Sequence, residues 1–356
     1  MKALARHLPR LVARVPHVEL GQWPTPLAPL SIAGRTVWVK HEGDAHPVYG
    51  GNKLRTLEVW FGHARDRGAK RIWAIGAYGS NHAIATVLHA RSAGLDAGVI
   101  LFPQPPSPWA IENCGALIAS GCPIIRLRSV IEVPFRGYAL ARRERTSIVM
   151  PPGGATTVGT FGALAGAYEL ADQIAAGLAP PPKRIVVAIG STCTTAGLLA
   201  GLALAHATNA WRWPVPLVYG VRVTPWPVTS RLRIANLARA TLDRVAELGG
   251  PRVAITIGEL VARLVVDGRE LGPGYGHATP QSSRAIAALN GPRATEARPR
   301  LDGVYSAKAA AALLRLHRDG VAPLLFWATK ATTVLPPPSI EALRDTDREL
   351  ARWMRD

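Results

Sequence analysis

Three short stretches carry side chains whose types and order could do chemistry. In YGGNKLRTLE (residues 49–58), Lys53 follows Gly50, Gly51 and Asn52 and opens a helical pattern continued by Leu54, Leu57 and Glu58. Glycines permit positive φ and close approach, so this is a tight turn with an amine at its exit. In AIGAYGSNHAIAT, a strand ending at Gly76 leads to Ser80, Asn81 and His82 at the start of the next helix. Ser and Asn there cap unpaired N–H groups, and the same edge is where open α/β sheets meet ligands. In VVAIGSTCTTAGLLAG, the residues Gly190, Ser191, Thr192, Thr194 and Thr195 can surround an anion with backbone N–H groups and hydroxyls at a helix N-terminus. That loop lacks a Walker lysine and is not GxGxxG. An amine, a polar helix start and an anion cup on successive strand-to-helix junctions fit a phosphorylated aldehyde held as an imine. A desolvated lysine is more readily neutral and nucleophilic, as imine formation requires. Pyridoxal phosphate is such an aldehyde.

The elements that must position these groups alternate along the chain. TVWVKHE, RIWAIGA, AGVILF, RIVVAIG and VPLVYGVRV read as short apolar strands. KLRTLEVWFGHARDRG, SNHAIATVLHARSAG (ending at Gly94) and TTAGLLAGLALAHA read as helices between them. Strands alternating with helices of this length predict parallel sheets with helices on both faces. FPQPPSPW, APPPK and LPPPS are short enough to be surface loops, and no internal repeat is present. In the tail, Ile340, Leu343, Leu350 and Trp353 fall at helical spacing and predict a terminal helix packed on the surface or on a partner chain.

Composition bounds the class. At 356 residues, 48 % hydrophobic and 19 % charged, the chain is globular and long enough for two lobes. The basic N-terminus is interrupted by Pro and Arg, and no apolar run would span a bilayer, so the sequence reads as a soluble cytoplasmic protein without a membrane segment. Cys114, Cys122 and Cys193 form no CxxC pair, which points to neither a disulfide framework nor a metal site. The net charge of +18 is mostly arginine scattered in pieces such as ARRER and SRLR. Without an RNA- or DNA-binding motif it argues against a specific nucleic-acid partner and leaves only electrostatic adhesion.

The chain resembles the D-cysteine desulfhydrase and 1-aminocyclopropane-1-carboxylate deaminase family, pyridoxal-phosphate enzymes with the fold of the tryptophan synthase β subunit. The resemblance runs in order through RVPHVELGQWPTPLAPL, VWVKHEG, GGNKLRTLE, GAYGSNHA, PPGGATTVGTFGALAGAYEL, AIGSTCTTAGLLAGL, LGPGYGHATP, LDGVYSAKAAAALLRL and LLFWATKA. It implies an α/β fold of type II with two open, twisted, mostly parallel sheets flanked by helices, and the cofactor in the cleft between two lobes. The larger lobe would comprise 1–54 and 159–356, the smaller 55–158. It implies a homodimer and a small amino-acid substrate.

By the same resemblance, Lys53 forms the Schiff base and is the favoured proton carrier, with Ser80 next. Asn81 hydrogen-bonds the cofactor's 3-hydroxyl, and Gly190, Ser191, Thr192, Cys193 and Thr194 hold the phosphate. Tyr275 and Tyr305 line the substrate side of the ring. Thr329 lies near the pyridine nitrogen, as does Ser306, which stands where the deaminases carry a glutamate. A hydroxyl cannot keep that nitrogen protonated as a carboxylate can, which speaks against cyclopropane opening. The implied activity is a D-cysteine desulfhydrase-like α,β-elimination that yields a keto acid and ammonia. The alternatives are β-replacement in a specialised biosynthetic route, or a non-catalytic homologue that binds a metabolite or partner. Gly79, Ile84, Thr192, Cys193 and Lys330 depart from the family pattern and imply a remodelled substrate pocket.

Overall fold

The computed structural model describes residues 1–289 and 298–355. Its strands are β1 (Leu27–Ile32), β2 (Arg35–His41), β3 (Arg71–Ala77), β4 (Asp96–Phe102), β5 (Ile124–Arg126), β6 (Ser147–Met150), β7 (Arg184–Ile189), β8 (Leu217–Arg222), β9 (Leu264–Asp267) and β10 (Leu324–Ala328). They form a six-stranded sheet in the order β1-β2-β10-β7-β8-β9 and a four-stranded sheet in the order β5-β4-β3-β6. All pairings are parallel except the β1–β2 hairpin. That hairpin turns on Ala33 and Gly34, both at positive φ, as a two-residue turn between right-twisted strands requires.

The helices that matter for the site are α1 (Lys53–Asp66), α2 (Asn81–Ala90), α3 (Thr157–Ala175), α4 (Cys193–Ala207) and α5 (Ser306–Arg318). Helices α3 and α4 carry apolar or small residues almost all round, and such helices are stable only inside a protein. They pack on one face of the larger sheet, in a core with Leu164, Leu202, Ile185 and Leu325. The alanine-rich α5 covers the other face with Leu313, beneath Val39, Val186 and Phe326. The smaller sheet is likewise covered on both faces, by α1 and α2 on one and by Leu140 on the other. This is the architecture expected from the alternating pattern. Among the described residues no helix is long and apolar enough to cross a membrane.

The tail differs from the single helix its spacing predicts. It forms α6 (Ile340–Asp345) and α7 (Arg348–Trp353), separated because Asp347 leaves the helix to cap α7, accepting from the Glu349 and Leu350 N–H groups. Ile340 is exposed, whereas Leu350 joins the core beneath the four-stranded sheet. Trp353 donates to the Gln104 carbonyl at 2.7 Å, and Arg126 on β5 pairs with Asp347 at 2.8 Å. The two-lobe division stated above grouped this segment with the larger lobe. Its contacts are instead with the smaller sheet, because its few apolar side chains find their burial there.

A buried ionic cluster ties the elements around α1 together. Arg55 grips Glu42, just after β2, at 2.6 and 2.8 Å, and Glu169 of α3 at 2.8 and 3.1 Å. Lys40 of β2 also meets Glu169 and donates to the Thr25 carbonyl at 2.7 Å. Burial opposes the charge on Arg55, but Glu169 and Glu42 more than offset it. Arg55 lies two residues after Lys53, so this cluster sets where that helix begins.

Candidate active site

In open parallel sheets, ligands bind outside the carboxyl ends of the strands. Here the carboxyl ends of both sheets open into one cavity of about 720 Å³, within the range that holds a cofactor-sized ligand. The cavity is reached by Gly76 at the end of β3, Pro103 after β4, Pro151 after β6, Gly190 after β7, Thr224 after β8 and Thr329 after β10. Lys53, Ser80, Asn81, the loop 190–195, Tyr275, Tyr305 and Thr329 all line it. Residues up to about 275 positions apart in sequence are thus brought to one wall.

Lys53 is the first residue of α1. The turn before it requires Gly51, at φ +98, where an added Cβ would stand 2.9 Å from the Thr329 carbonyl. Asn52 does not cap the helix; its Nδ2 donates to Thr194 Oγ1 at 2.7 Å and ties the lysine turn to the loop after β7. Burial pushes the Lys53 ammonium below its ordinary pKa, with the neighbouring Cys193 thiol opposing. Gly153, at φ +63, lies against the same group: a Cβ there would meet Ser191 Oγ at 2.1 Å and Lys53 Nζ at 3.3 Å.

The loop after β7 lines the cavity with a strained residue in it. Thr192 has φ +78, a conformation that β-branched residues rarely adopt and that costs about 1–3 kcal/mol. Its Oγ1 and that of Thr195 are buried without a hydrogen-bond partner, although such groups are nearly always paired. Both stand at the start of α4, where backbone N–H groups are free and the helix dipole favours an anion. The Cys193 sulfur turns away toward the Gly154 carbonyl at 3.5 Å, so its share in the cup is its backbone. Thr192→Gly should stabilise the cofactor-free chain by about 1 kcal/mol through relief of strain. It should also weaken phosphate-ligand affinity about tenfold through the lost hydroxyl. Denaturant melts and ligand titration of the same variant check both signs.

Ser80 is the N-cap of α2 and accepts from the Ala83 N–H at 3.2 Å, so the capping role is present while its own O–H remains free to donate. Asn81 Oδ1 is occupied from behind by Tyr49, Asn113 and Lys330 at 2.9, 2.9 and 3.1 Å. Tyr275 and Tyr305 hydrogen-bond each other through their hydroxyls, with ring centroids 5.9 Å apart. Burial pushes Tyr275 up to about 12 and Tyr305 well above its usual value, so at neutral pH both are phenols that donate rather than accept protons.

Two expectations change. Ser306 does not line the cavity: it is buried at the start of α5, donating to Asp302 Oδ2 at 2.9 Å and accepting from the Asp302 N–H at 2.7 Å. A carboxylate and the helix start together claim its hydroxyl, which leaves Thr329 as the cavity hydroxyl near that end. Lys330 does not intrude on the pocket either; it is buried behind Asn81. Sequence reasoning also passed over Asn52, Gly153 and His82. His82 lines the cavity with both ring nitrogens unpaired, and burial, aided by the Lys53 charge, pushes its pKa down to about 3, so it is a neutral imidazole. Its place in SNH was visible, but nothing in the sequence distinguished it from a packing histidine.

Fold and cavity bring a buried amine and a helix start with unpaired hydroxyls into one cleft, as a site for a phosphorylated ligand requires. The family model of the pyridoxal-phosphate dependent enzymes matches residues 18–323, and the chain belongs to that family. It is 34 % identical to nocardicin C-9' epimerase of Nocardia uniformis subsp. tsuyamanensis, over 89 % of this chain and 93 % of the relative. It is 30 % identical to D-cysteine desulfhydrase of Salmonella paratyphi C, over 91 % and 96 %. The solved structure of a homologue of ACC deaminase superposes with a TM-score of 0.72 at 28 % identity, covering 94 % of this chain and 95 % of that one. The cofactor of the family is pyridoxal phosphate, and the residues present fit it. Two unpaired threonine hydroxyls lie at a helix start, an amide nitrogen is available on Asn81, and an amine of lowered pKa lines the same cavity.

Proposed function

We propose that this enzyme is a lyase that eliminates a β-substituent from a small amino acid and releases a keto acid and ammonia, with D-cysteine as the leading substrate. The observation that carries the reading is a buried lysine of lowered pKa sharing one cavity with a helix start whose two threonine hydroxyls have no partner in the protein. Bound pyridoxal phosphate supplies the electron sink for the α-carbon.

The loop 190–195 would hold the phosphate through N–H groups and the Thr192 and Thr195 hydroxyls, and Asn81 would hold the 3-oxygen. Lys53, displaced as a free amine, would take the α-proton. The tyrosine pair is protonated at neutral pH, so it would orient the substrate and donate to a departing thiolate rather than compete as a base. Ser80 would donate its O–H to the substrate carboxylate. Thr329, a hydroxyl, would face the ring nitrogen; it cannot hold that nitrogen protonated, which suits loss of a good leaving group better than opening of a carbon ring. The balance is cysteine plus water giving pyruvate, sulfide and ammonia.

A second reading, epimerisation at an amino-acid α-carbon, is favoured by the relative named as an epimerase, to which this chain is similar over nearly all of its length. Both readings begin with the same proton on Lys53. Incubating the loaded enzyme with D- and L-cysteine in D2O separates them. Stoichiometric pyruvate, sulfide and ammonia supports elimination. Deuterium at the α-carbon with inversion and no keto acid supports epimerisation. Neither product nor exchange, with cysteine or with other small amino acids, would overturn both.

A further inference from the structure

Lys330 has no evident reason to be where it is. It is 2 % exposed, and among the described residues no carboxylate lies within ion-pair distance of its ammonium. Glu112 is taken by Arg300, and Asp302 by Ser306 and the N–H groups of Val304 and Tyr305. What surrounds it instead are side-chain oxygens: Asn81 Oδ1 at 3.1 Å, Asn113 Oδ1 at 3.4 Å and the Tyr49 hydroxyl at 3.5 Å, with the Tyr49 ring centroid at 5.6 Å. Leaving an ammonium buried without a counter-charge is costly, so some compensating role is expected of it.

An ammonium only donates, and every atom it faces must therefore accept. That rule sets the sense of two amides. Asn113 turns Oδ1 to the lysine, so its Nδ2 serves the Gly79 carbonyl and Asn81 Oδ1, each at 2.9 Å. Asn81 also turns Oδ1 to the lysine and accepts from the Tyr49 hydroxyl at 2.9 Å, so its Nδ2 has only the cavity side left. We infer that Lys330 is a positioning residue that locks the Asn81 amide with its NH2 group toward the cavity, where it selects an anionic acceptor oxygen on the bound cofactor. This rests on the reading of the cavity as the cofactor site.

The charged groups around the lysine are Asp302, Glu112 and Arg300, with the Tyr49 phenol in contact. Burial pushes Lys330 down to about 8, opposed by Asp302 and Glu112 and aided by Arg300, so it is charged at neutral pH. Tyr49 stays a phenol, since burial holds its pKa above the usual value. The charge behind the amide polarises the N–H that faces the ligand oxygen, and it favours that oxygen as an anion.

The test titrates pyridoxal phosphate into the cofactor-free full chain of wild type, Lys330→Met and Lys330→Arg. It follows the visible absorbance band, its reduction by borohydride and its midpoint in a pH titration. Wild type is expected to give a reducible band. Lys330→Met is expected to bind about tenfold more weakly, through loss of the charge-assisted hydrogen bond that fixes the Asn81 amide. Its band midpoint should move up by about one pH unit, and Lys330→Arg should restore both toward wild type. A Lys330→Met protein with wild-type affinity and midpoint would overturn the assignment while leaving the cofactor site intact. A wild type without a band would overturn the cofactor reading and this inference with it. If Lys330→Met does not fold, Lys330→Gln is judged by the same two readouts.

Discussion

Lys53→Ala is expected to lose the borohydride-reducible band altogether and to lower turnover on any substrate by about 10³-fold or more, since under the proposed function it removes both the imine-forming amine and the proton carrier. The loss should not come from unfolding. The folded chain holds Lys53 below the ordinary lysine pKa because of burial. Between the folded and unfolded values the unfolded chain therefore binds the extra proton, and stability rises with pH across that window. Below the folded value the cost of the buried charge is fully present, so removing the amine relieves it there. A cofactor-free Lys53→Met chain should accordingly melt no lower than wild type near neutral pH, which calorimetry beside the absorbance measurement would check. In the wild type, the acid limb of kcat, where the proposal has Lys53 displaced as a free amine, should fall as that amine is protonated, at a pH below that of a free lysine.

Glu169→Gln should be the most damaging change outside the cavity. It leaves Lys40 and half of the Arg55 guanidinium buried without a carboxylate, and breaking one partner out of a buried ion cluster costs about 3–5 kcal/mol. For a chain of this size that lowers Tm by roughly 4–7 °C. Burial raises the Glu169 pKa, but Arg55 and Lys40 outweigh it and hold the carboxyl down at about 2. Its contribution is therefore complete above the unfolded value and is lost as pH falls through the folded one. Lys40, pushed down to about 8 by burial in spite of Glu169, is still charged at neutral pH. Wild type and variant should then differ most near pH 7 and converge toward pH 2. Equal melting temperatures at pH 7 would mean that α1 is held by its apolar face alone. Because Arg55 follows Lys53 by two residues, weakened cofactor affinity should accompany the lost stability.

Much of this site was legible because local sequence rules act locally. GGNK, SNH and GSTCTT each announce a turn or helix start by backbone chemistry, and the structure puts all three on one cavity. Ser80 caps as its type predicts. Positions whose meaning depends on a distant partner were misread or missed. Ser306 looked like a ring partner until Asp302, four residues earlier, claimed its hydroxyl. Lys330 looked like part of a remodelled substrate pocket until Asn81, Asn113 and Tyr49 received its ammonium. Asn52 looked like a loop residue, yet it joins two loops 142 positions apart.

The sequence by itself determined the alternation of strands and helices and the parallel sheets, because periodicity and turn chemistry are carried by neighbouring residues. Only the tertiary structure decided which hydroxyls are free for a ligand, that Thr192 is held at positive φ, and which way the Asn81 amide points. Those are properties of what lies across a cavity or behind a wall, and hydrogen-bond satisfaction there is settled by groups that meet only once the chain has folded.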